Sequence, residues 1–409
     1  MNEDKAARYH RRRRRAALCG TASGALLLGL LVVTGWSAAL RDAAAAFGGE
    51  SLVLTLVVYV VLLALLGEAV QLPLAFYQGV TLERRYGLSK ETTARWWLDR
   101  VKAGGLALVF AVGGALLVWG LLRWDPERWW LTTALCFGIV LVVLAQLAPV
   151  LLLPLFYRFE PLERPALASR LAALAGRAGA RIAGVFEWQI GDRTRKANAA
   201  LAGIGRTRRI LLSDTLLAEH SDDEIEVVLA HELAHHVHRD IWKAIAFEGV
   251  LLVLGFHLAD RVLEASVGRF GIVAKDDVAG LPLLLLAGGA VSLVLLPAAN
   301  AVSRAHERRA DRYALEMTRN AAAFVSAMRR LAAQNLAEER PSRLVEILFH
   351  SHPSTAARVA AARLWEATNR LDQDLHDAGL RRADLHVEAR RDAGREPFAD
   401  ERGSRRHRR

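Results

Sequence analysis

The chain has 409 residues, of which 53% are hydrophobic and 24% are charged, and its formal net charge is +11. The charged residues avoid several long stretches, a distribution that excludes an ordinary soluble protein and is typical of an integral membrane protein. The positive charge predicts attraction to anionic lipid. Because no basic patch accompanies a recognisable nucleic-acid-binding fold, nucleic acid is not an expected partner.

Six apolar runs are long enough to form helices that cross about 30 Å of hydrocarbon. The fifth run is the weakest, because Glu248 and His257 interrupt it. Five polar residues within the runs are expected to face the interior of the bundle or to form hydrogen bonds between helices: Glu68, Gln71, Gln146, Glu248 and His257. The predicted spans are 16–40, 51–77, 103–122, 131–156, 244–263 and 279–300.

The basic N-terminal segment 1–15 and the apolar run after it resemble the start of a secretory signal. The run is about 25 residues long, well beyond the 7–15 of a signal core, so we predict a retained anchor. Cys19 and Cys136 lie in separate apolar runs, which argues against a disulfide and predicts that both pack against neighbours.

Lys and Arg set the expected orientation. They are concentrated before the first span, between the second and third spans, and after the last one, while the opposite flanks carry few. This bias predicts a cytoplasmic N-terminus, and it places 158–243 and the segment that begins at 301 on the cytoplasmic side. Arginine outnumbers lysine 48 to six, which suggests a GC-rich bacterial genome and therefore the bacterial inner membrane.

The region 158–243 predicts a small α/β domain. An Ala/Leu-rich helix is followed by the runs GVFEWQI, ANAALAGIG and RRILLS, which predict an antiparallel meander. Ser221 and Glu224 then form the sequence pattern of a capping box, which opens a helix that carries LAHELAHHVHRD.

His231 and His235 are four residues apart, so their imidazoles project from one helix face and are suitable ligands for one zinc ion. Glu232 projects beside them and is placed to accept a proton from water. The alternative is a surface helix with solvated histidines. A catalytic zinc site needs a third protein ligand, which must come from elsewhere.

His238 shares the face of His231 but lies about 10 Å further along the axis. It cannot reach the same ion without a break in the helix, and no glycine supplies one. His236 points about 140° away from His231. A better third ligand is Glu307 in SRAHERRADRYALE, where Asp311 lies on the same face and is placed to accept the N–H of a ligand histidine.

An exposed charged face would explain the same spacing of Glu307 and Asp311. In that interpretation, neighbouring arginines pair with the two acids. These arginines are Arg304, Arg308 and Arg309.

Several motifs resemble the CAAX prenyl protease 1 family of integral-membrane zinc metallopeptidases, relatives of the HtpX quality-control proteases. They are ERRYGLSKETTARWWLDRVK, LPLFYRFEPL, KANAALAGIGRTRRILLSDTLL, LAHELAHHVHRD, SRAHERRAD and HSHPSTAAR. The resemblance covers most of 50–370. It implies a zinc-dependent metalloendopeptidase with one zinc ion bound by His231, His235 and Glu307, with Glu232 as general base and with Asp311 supporting a ligand histidine.

The resemblance also implies that Asn198, His352 and Arg358 hold the substrate backbone and the developing oxyanion. The chain departs from the prenyl-protein members of the family in having six predicted spans where they have seven. With a bacterial source, a prenylated substrate is not expected. The alternative functions are quality-control proteolysis of membrane proteins and, less favoured because the outer segments are short, a signalling receptor with a zinc domain.

The sequence therefore predicts a predominantly α multi-span bundle with a small cytoplasmic α/β domain of the gluzincin type, acting on peptide or membrane-protein substrates. The predicted divisions are 1–15, a basic N-terminus; 16–157, four spans; 158–243, the zinc helix and its domain; 244–300, two further spans; 301–370, the second half of that domain; and 371–409, a disordered tail.

Overall fold

The computed structural model describes residues 2–203 and 207–377. Within them, six helices are long and apolar enough to cross a membrane, and they correspond to the six predicted spans. The fifth of them, which begins at Asp240, is the least apolar, as Glu248 and His257 predicted. The chain is thus a multi-span, mainly helical protein with a small α/β domain attached.

The N-terminal half consists of long helices joined by short turns. The first helix already begins at Asn2, so the basic segment before the first span is helical. Ser51 and Thr92 cap two of the helices by accepting a backbone N–H. The helices are α1 (Asn2–Val33), α2 (Trp36–Gly48), α3 (Leu52–Phe76), which continues through a π-helical turn (Tyr77–Leu82) into α4 (Glu83–Arg85), α5 (Thr93–Trp124) and α6 (Trp129–Leu151).

The α/β domain follows the fourth span. Its four strands form one sheet in the order β1-β2-β4-β3. The capping box that opens α9 is present, with both reciprocal hydrogen bonds. The elements are β1 (Arg158–Pro161), α7 (Pro165–Arg177), β2 (Gly184–Gln189), β3 (Ala199–Ala202), β4 (Arg209–Ser213), α8 (Asp214–Glu219) and α9 (Asp222–Val237).

The predicted antiparallel meander is wrong in one respect. β3 and β4 are antiparallel, with Ala199 opposite Leu212, but β2 and β4 are parallel, with Val185 opposite Ile210. β4 therefore lies between β2 and β3. Its consecutive residues Ile210, Leu211 and Leu212 are all buried, so both faces of the strand pack against other parts of the domain. A central position in the sheet is compatible with burial on both faces. β3 is left at the edge.

The chain then crosses the membrane twice and returns to the α/β domain. α10 and α11 pack closely as a hairpin, and α11 continues beyond the membrane as one helix about 57 Å long. The remaining helices cover the core of the domain. The elements are α10 (Asp240–Ser266), α11 (Leu281–Thr318), α12 (Ala321–Gln334), α13 (Arg343–Phe349) and α14 (Thr355–Asp377).

Two predictions about the ends and the cysteines need correction. α14 continues to Asp377, so the start of the predicted tail is helical, and 378–409 lie outside the described residues. Cys19 is exposed on α1 instead of packed, because it faces the surroundings of the bundle, and Cys136 is partly buried. Both cysteines are free thiols, as expected.

The two parts of the molecule have separate apolar cores. One core is formed by α7, the sheet, α9 and α12, and includes Leu171, Ile210, Leu229 and Phe324. The other lies among the spans. The two parts are joined by polar contacts of the first helix: His10 Nε2 donates to Leu336 O at 2.8 Å, and Arg14 pairs with Glu338 at 2.6 Å. The basic N-terminus is therefore docked on the α/β domain.

Hydrogen bonds account for part of the predicted polar set inside the spans. Gln71 donates to Gly20 O at 2.9 Å, and Glu68 forms a two-bond pair with Arg100. The ring of His257 packs against Trp130 at 4.8 Å. These contacts fit the interpretation that polar side chains hydrogen-bond or stack between helices.

Candidate metal centre

The two histidines of the HExxH stretch lie on α9, whose opposite face is fixed in the core of the α/β domain. Leu229 and Leu233 are almost completely buried there. The helix therefore cannot turn freely about its axis, and it holds His231 and His235 on one side with their ring centroids 5.0 Å apart. Packing thus directs both imidazoles toward α11.

Glu307, on the membrane-distal part of α11, lies opposite both rings. Its Oε2 is 3.2 Å from Nε2 of His231, and its Oε1 is 3.4 Å from Nε2 of His235. One ligand atom from each of the three residues lies within 4.8 Å of the others. The structure thus brings together His231, His235 and Glu307, the three residues predicted to bind the metal.

The other nitrogen of each ring faces a carboxylate. Nδ1 of His231 lies 3.0 Å from Asp311 Oδ1, and Nδ1 of His235 donates to Asp240 Oδ2 at 3.0 Å. A proton on each Nδ1 leaves the lone pair of each Nε2 directed at the space before Glu307. Asp311 thus occupies the position predicted for it.

Asp240 was not predicted, because an unbroken helix would carry it away from His235. The structure contradicts the expectation of an unbroken helix: α9 ends at Val237, and Arg239 adopts φ 55, a left-handed conformation, without a glycine. The break turns the chain back toward the metal centre. The only sequence signal was the position of an aspartate just after the zinc helix.

The donor set fits a metal ion. Glu307 Oε2 is buried and makes no hydrogen bond among the described residues. Burial alone lowers the pKa of His231, but the adjacent carboxylates of Asp311 and Glu307 outweigh it and raise the pKa to about 9. An environment that favours a proton between these groups also favours a metal cation there. Two imidazoles and one carboxylate are a ligand set typical of catalytic zinc.

Glu232 lies beside the ligands and is not part of their cluster. Burial raises the pKa of its carboxyl above the ordinary value, and the positive charges of His231 and His235 oppose this only in part. A carboxylate whose pKa is displaced toward neutrality is well suited to accept and return a proton.

His352 lies next to the proposed ligand Glu307, whereas Arg358 lies on the far side of His231, beside Asp311. His352 Nε2 is 3.4 Å from Glu307 Oε1, and the side chain is 62% exposed. The guanidinium of Arg358 bonds both oxygens of Asp311 and comes within 3.4 Å of His231 Nδ1. These contacts join Arg358 to Asp311 and the His231 ring, and the predicted grip on substrate stays a prediction.

Asn198 immediately precedes the edge strand β3. Its backbone N–H donates to Ser213 Oγ at 2.9 Å, while its side chain is exposed. It lines a cavity of about 720 Å³ between the ends of the spans and the sheet. Gly79, Asp99 and Ala103 line the membrane side of this cavity.

The other histidines of the region lie outside the cluster. Nδ1 of His238 bonds the Ala234 carbonyl at 2.8 Å, so the ring folds back on its own helix. His306, next to Glu307 in sequence, lies nearest Asp240 at 3.8 Å. Neither contributes to the metal-binding group found among the described residues.

Two family models match the chain. A model described as peptidase family M48 matches residues 161–366, and one described as the CAAX prenyl protease N-terminal region with five membrane helices matches residues 2–158. The boundary between them coincides with the start of the sheet at Arg158.

Curated relatives and a solved structure agree with these matches. The uncharacterized metalloprotease YhfN of Bacillus subtilis is 32% identical over 308 residues, covering 74% of this chain and 72% of YhfN. CAAX prenyl protease 1 of Saccharomyces cerevisiae is 30% identical over 320 residues, covering 73% and 70%. The crystal structure of S. mikatae Ste24p has a TM-score of 0.79 at 25% identity, covering 88% of this chain and 89% of that one. On these matches and on its six apolar helices, the chain belongs to peptidase family M48 and is a multi-span membrane metalloprotease.

Proposed function

We propose that the chain is an endopeptidase that hydrolyses peptide bonds with one zinc ion held by His231, His235 and Glu307. The observation that carries this proposal is the convergence of the Nε2 atoms of His231 and His235 on the two oxygens of the buried Glu307 carboxylate. Glu232 lies beside the two rings. A zinc ion bound there supplies Lewis acidity, which polarises the peptide carbonyl and makes water nucleophilic near neutral pH.

The protein's own groups perform the proton transfers and orient the substrate. Glu232 takes a proton from the attacking water and passes it to the leaving amine. His352 is exposed at the open side of the centre and is placed to donate to the oxyanion that develops on the carbonyl.

The edge strand β3 suits an extended peptide. Among the described residues, β3 pairs with β4 on one side only, and α9 packs close to it. An extended segment that adds to the free edge forms backbone hydrogen bonds independent of its sequence. Asn198, exposed at the start of this strand, is the side chain that we assign to hold the substrate backbone.

We infer that the substrates are peptide segments of membrane proteins. The cavity beside Asn198 is walled by the ends of spans and by the sheet, so a segment that leaves the bilayer can enter it next to the edge strand β3. Several relatives are named CAAX prenyl protease 1, and processing near a C-terminus is one form of this activity. Quality-control cleavage of membrane proteins is the other. We place the site on the cytoplasmic face of a bacterial inner membrane, next to anionic lipid.

Glu232→Gln tests the proposal. Because Glu232 is a base and not a ligand, the variant should lose hydrolysis of a fluorogenic peptide yet keep about one zinc per chain. Glu226→Gln, on the same helix but paired with Arg170, is the matched control and should retain both properties. Zinc content is measured by mass spectrometry on detergent-purified protein. Hydrolysis by zinc-loaded Glu232→Gln at the wild-type rate would refute the assignment.

A further inference from the structure

We propose that Asp240 is a positioning residue that fixes the tautomer and the direction of the His235 ring and thereby sets the affinity for the metal. The inference rests on the proposed zinc site and adds to it a residue outside the HExxH and Glu307–Asp311 motifs. Its basis is the hydrogen bond from His235 Nδ1 to Asp240 Oδ2 and the contacts that hold this carboxylate in place.

Asp240 is held from two directions. It is the first residue of α10 and only 6% exposed. Its Oδ2 faces His235, while its Oδ1 accepts from Lys243 at 3.2 Å and from Arg309. A buried carboxylate that is paired on both oxygens has little freedom to leave the ring, so the ring in turn has one preferred direction.

The break between α9 and α10 is what makes this contact possible. In a continuous helix, a residue five positions after His235 would lie about 140° around the axis and face away. Arg239 instead adopts φ 55, a left-handed conformation that is unfavourable for a non-glycine residue. Asp240 is the residue that this strained turn returns to the metal centre.

Arg309 connects this contact to the helix that supplies the third ligand. α11 presents Glu307 to the Nε2 atoms, Asp311 to Nδ1 of His231, and Arg309 to Asp240. One helix therefore orients both histidines and also contributes a ligand. Movement of α11 relative to α9 would change all three ligands together.

Asp240→Asn tests the role, because it keeps the size of the side chain while removing its charge. We expect zinc to bind about 10–100-fold more weakly, the usual loss for a group that orients a ligand histidine. Zinc affinity is measured by competition with a chromogenic chelator on the full-length protein in detergent. In the cobalt-substituted protein, the visible absorption bands should shift, and at saturating zinc kcat should fall with KM unchanged.

Two further variants make the result interpretable. Asp223→Asn removes an ion-paired carboxylate from the first turn of α9, far from the ligands, and should leave affinity and cobalt spectrum as in the wild type. Arg309→Gln leaves Asp240 in place but removes its anchor on α11, and it should weaken zinc binding in the same direction. If Asp240→Asn does not fold, Arg309→Gln still tests the inference.

Zinc affinity within about twofold of wild type in both Asp240→Asn and Arg309→Gln, with unchanged cobalt spectra, would overturn the inference and leave the proposed function intact. A wild-type chain that binds no zinc would overturn both. The two failures are therefore distinguishable.

Discussion

Three carboxylates are paired with the nitrogens of the two imidazoles, and only one of the three forms no ion pair with an arginine or lysine among the described residues. Asp311 is paired with Arg358, and Asp240 with Arg309 and Lys243. Among the described residues, the ion pairs of Glu307 are with histidine rings only. Of these three carboxylates, Glu307 is thus the one not paired with an arginine or lysine, which leaves its oxygens available to a metal ion.

His352→Ala should lower kcat by about 10²–10³, the range for losing one donor to an oxyanion, while zinc content stays unchanged. The reason is that His352 is exposed at the open side of the centre, where charge develops on the carbonyl oxygen. Steady-state cleavage of a fluorogenic peptide, with zinc assayed in parallel, measures both quantities. A kcat close to that of the wild type would leave His352 without a catalytic role.

Arg358→Ala provides the contrast. Its guanidinium holds Asp311 and does not face the open side, so the variant should lose zinc affinity before it changes KM. An increase in KM with full zinc occupancy would instead restore the substrate-binding role that family resemblance implied.

The sequence was sufficient to identify site residues that share one face of a helix, but not those whose position depends on a turn in the chain. Helical periodicity is sufficient to pair His231 with His235 and Glu307 with Asp311. Asp240 follows no such period, because its position depends on the left-handed turn at Arg239, and no glycine marked that turn. Contacts between distant segments, such as that of Arg358 with Asp311, cannot be predicted from sequence periodicity.

At the level of single elements, Glu224 connects the start of the zinc helix to α12. Its carboxylate accepts from the Ser221 N–H at 2.8 Å and from the Ser326 hydroxyl, and it pairs with Arg330 at 3.1 Å. Burial tends to raise the pKa of this carboxyl, but these contacts outweigh it and leave the pKa below the ordinary value. The ionised carboxylate therefore stabilises the fold.

Glu224→Gln should reduce stability by about 1–3 kcal/mol near neutral pH, since hydrogen bonds to a buried charged group are lost. The depressed pKa makes this stabilisation present above the unfolded value of about 4.3 and lost as pH falls through the lower folded value. The difference from wild type should therefore shrink in acid. Thermal denaturation in detergent, at neutral pH and in acid, measures the difference in stability between variant and wild type. Glu219→Gln, at an exposed position, is the control. A difference that grows in acid would contradict the prediction.

The helices were predictable and the strand order was not. Long apolar runs specify spans by length alone, and caps such as Ser221 mark helix starts. The order of strands depends on which one needs cover on both faces. The run RRILLS contains the consecutive apolar residues that are buried in β4. Short runs of this kind are equally compatible with a meander in which sequential strands are neighbours. Tertiary packing decides which strand is central.

For the whole molecule, the bias of basic residues predicts that the metal centre faces the cytoplasm. A cysteine at exposed Ala218, on the side of the sheet, should then resist a membrane-impermeant thiol reagent in intact cells, whereas one at exposed Ala46, on α2, should react. Both are placed in a chain whose Cys19 and Cys136 are replaced by serine. Labelling at Ala218→Cys and protection at Ala46→Cys would invert the orientation.

The α10–α11 hairpin separates the two histidines from Glu307 by two membrane crossings, and this fixes the order in which the centre is assembled during synthesis. α9 leaves the ribosome first and its histidines are complete as soon as it folds, but Glu307 follows only after both crossings have been made. A chain in which the second crossing has not yet been made has only two of the three proposed ligands in place. Completion of the proposed metal centre is thus coupled to correct integration of the α10–α11 hairpin into the bilayer.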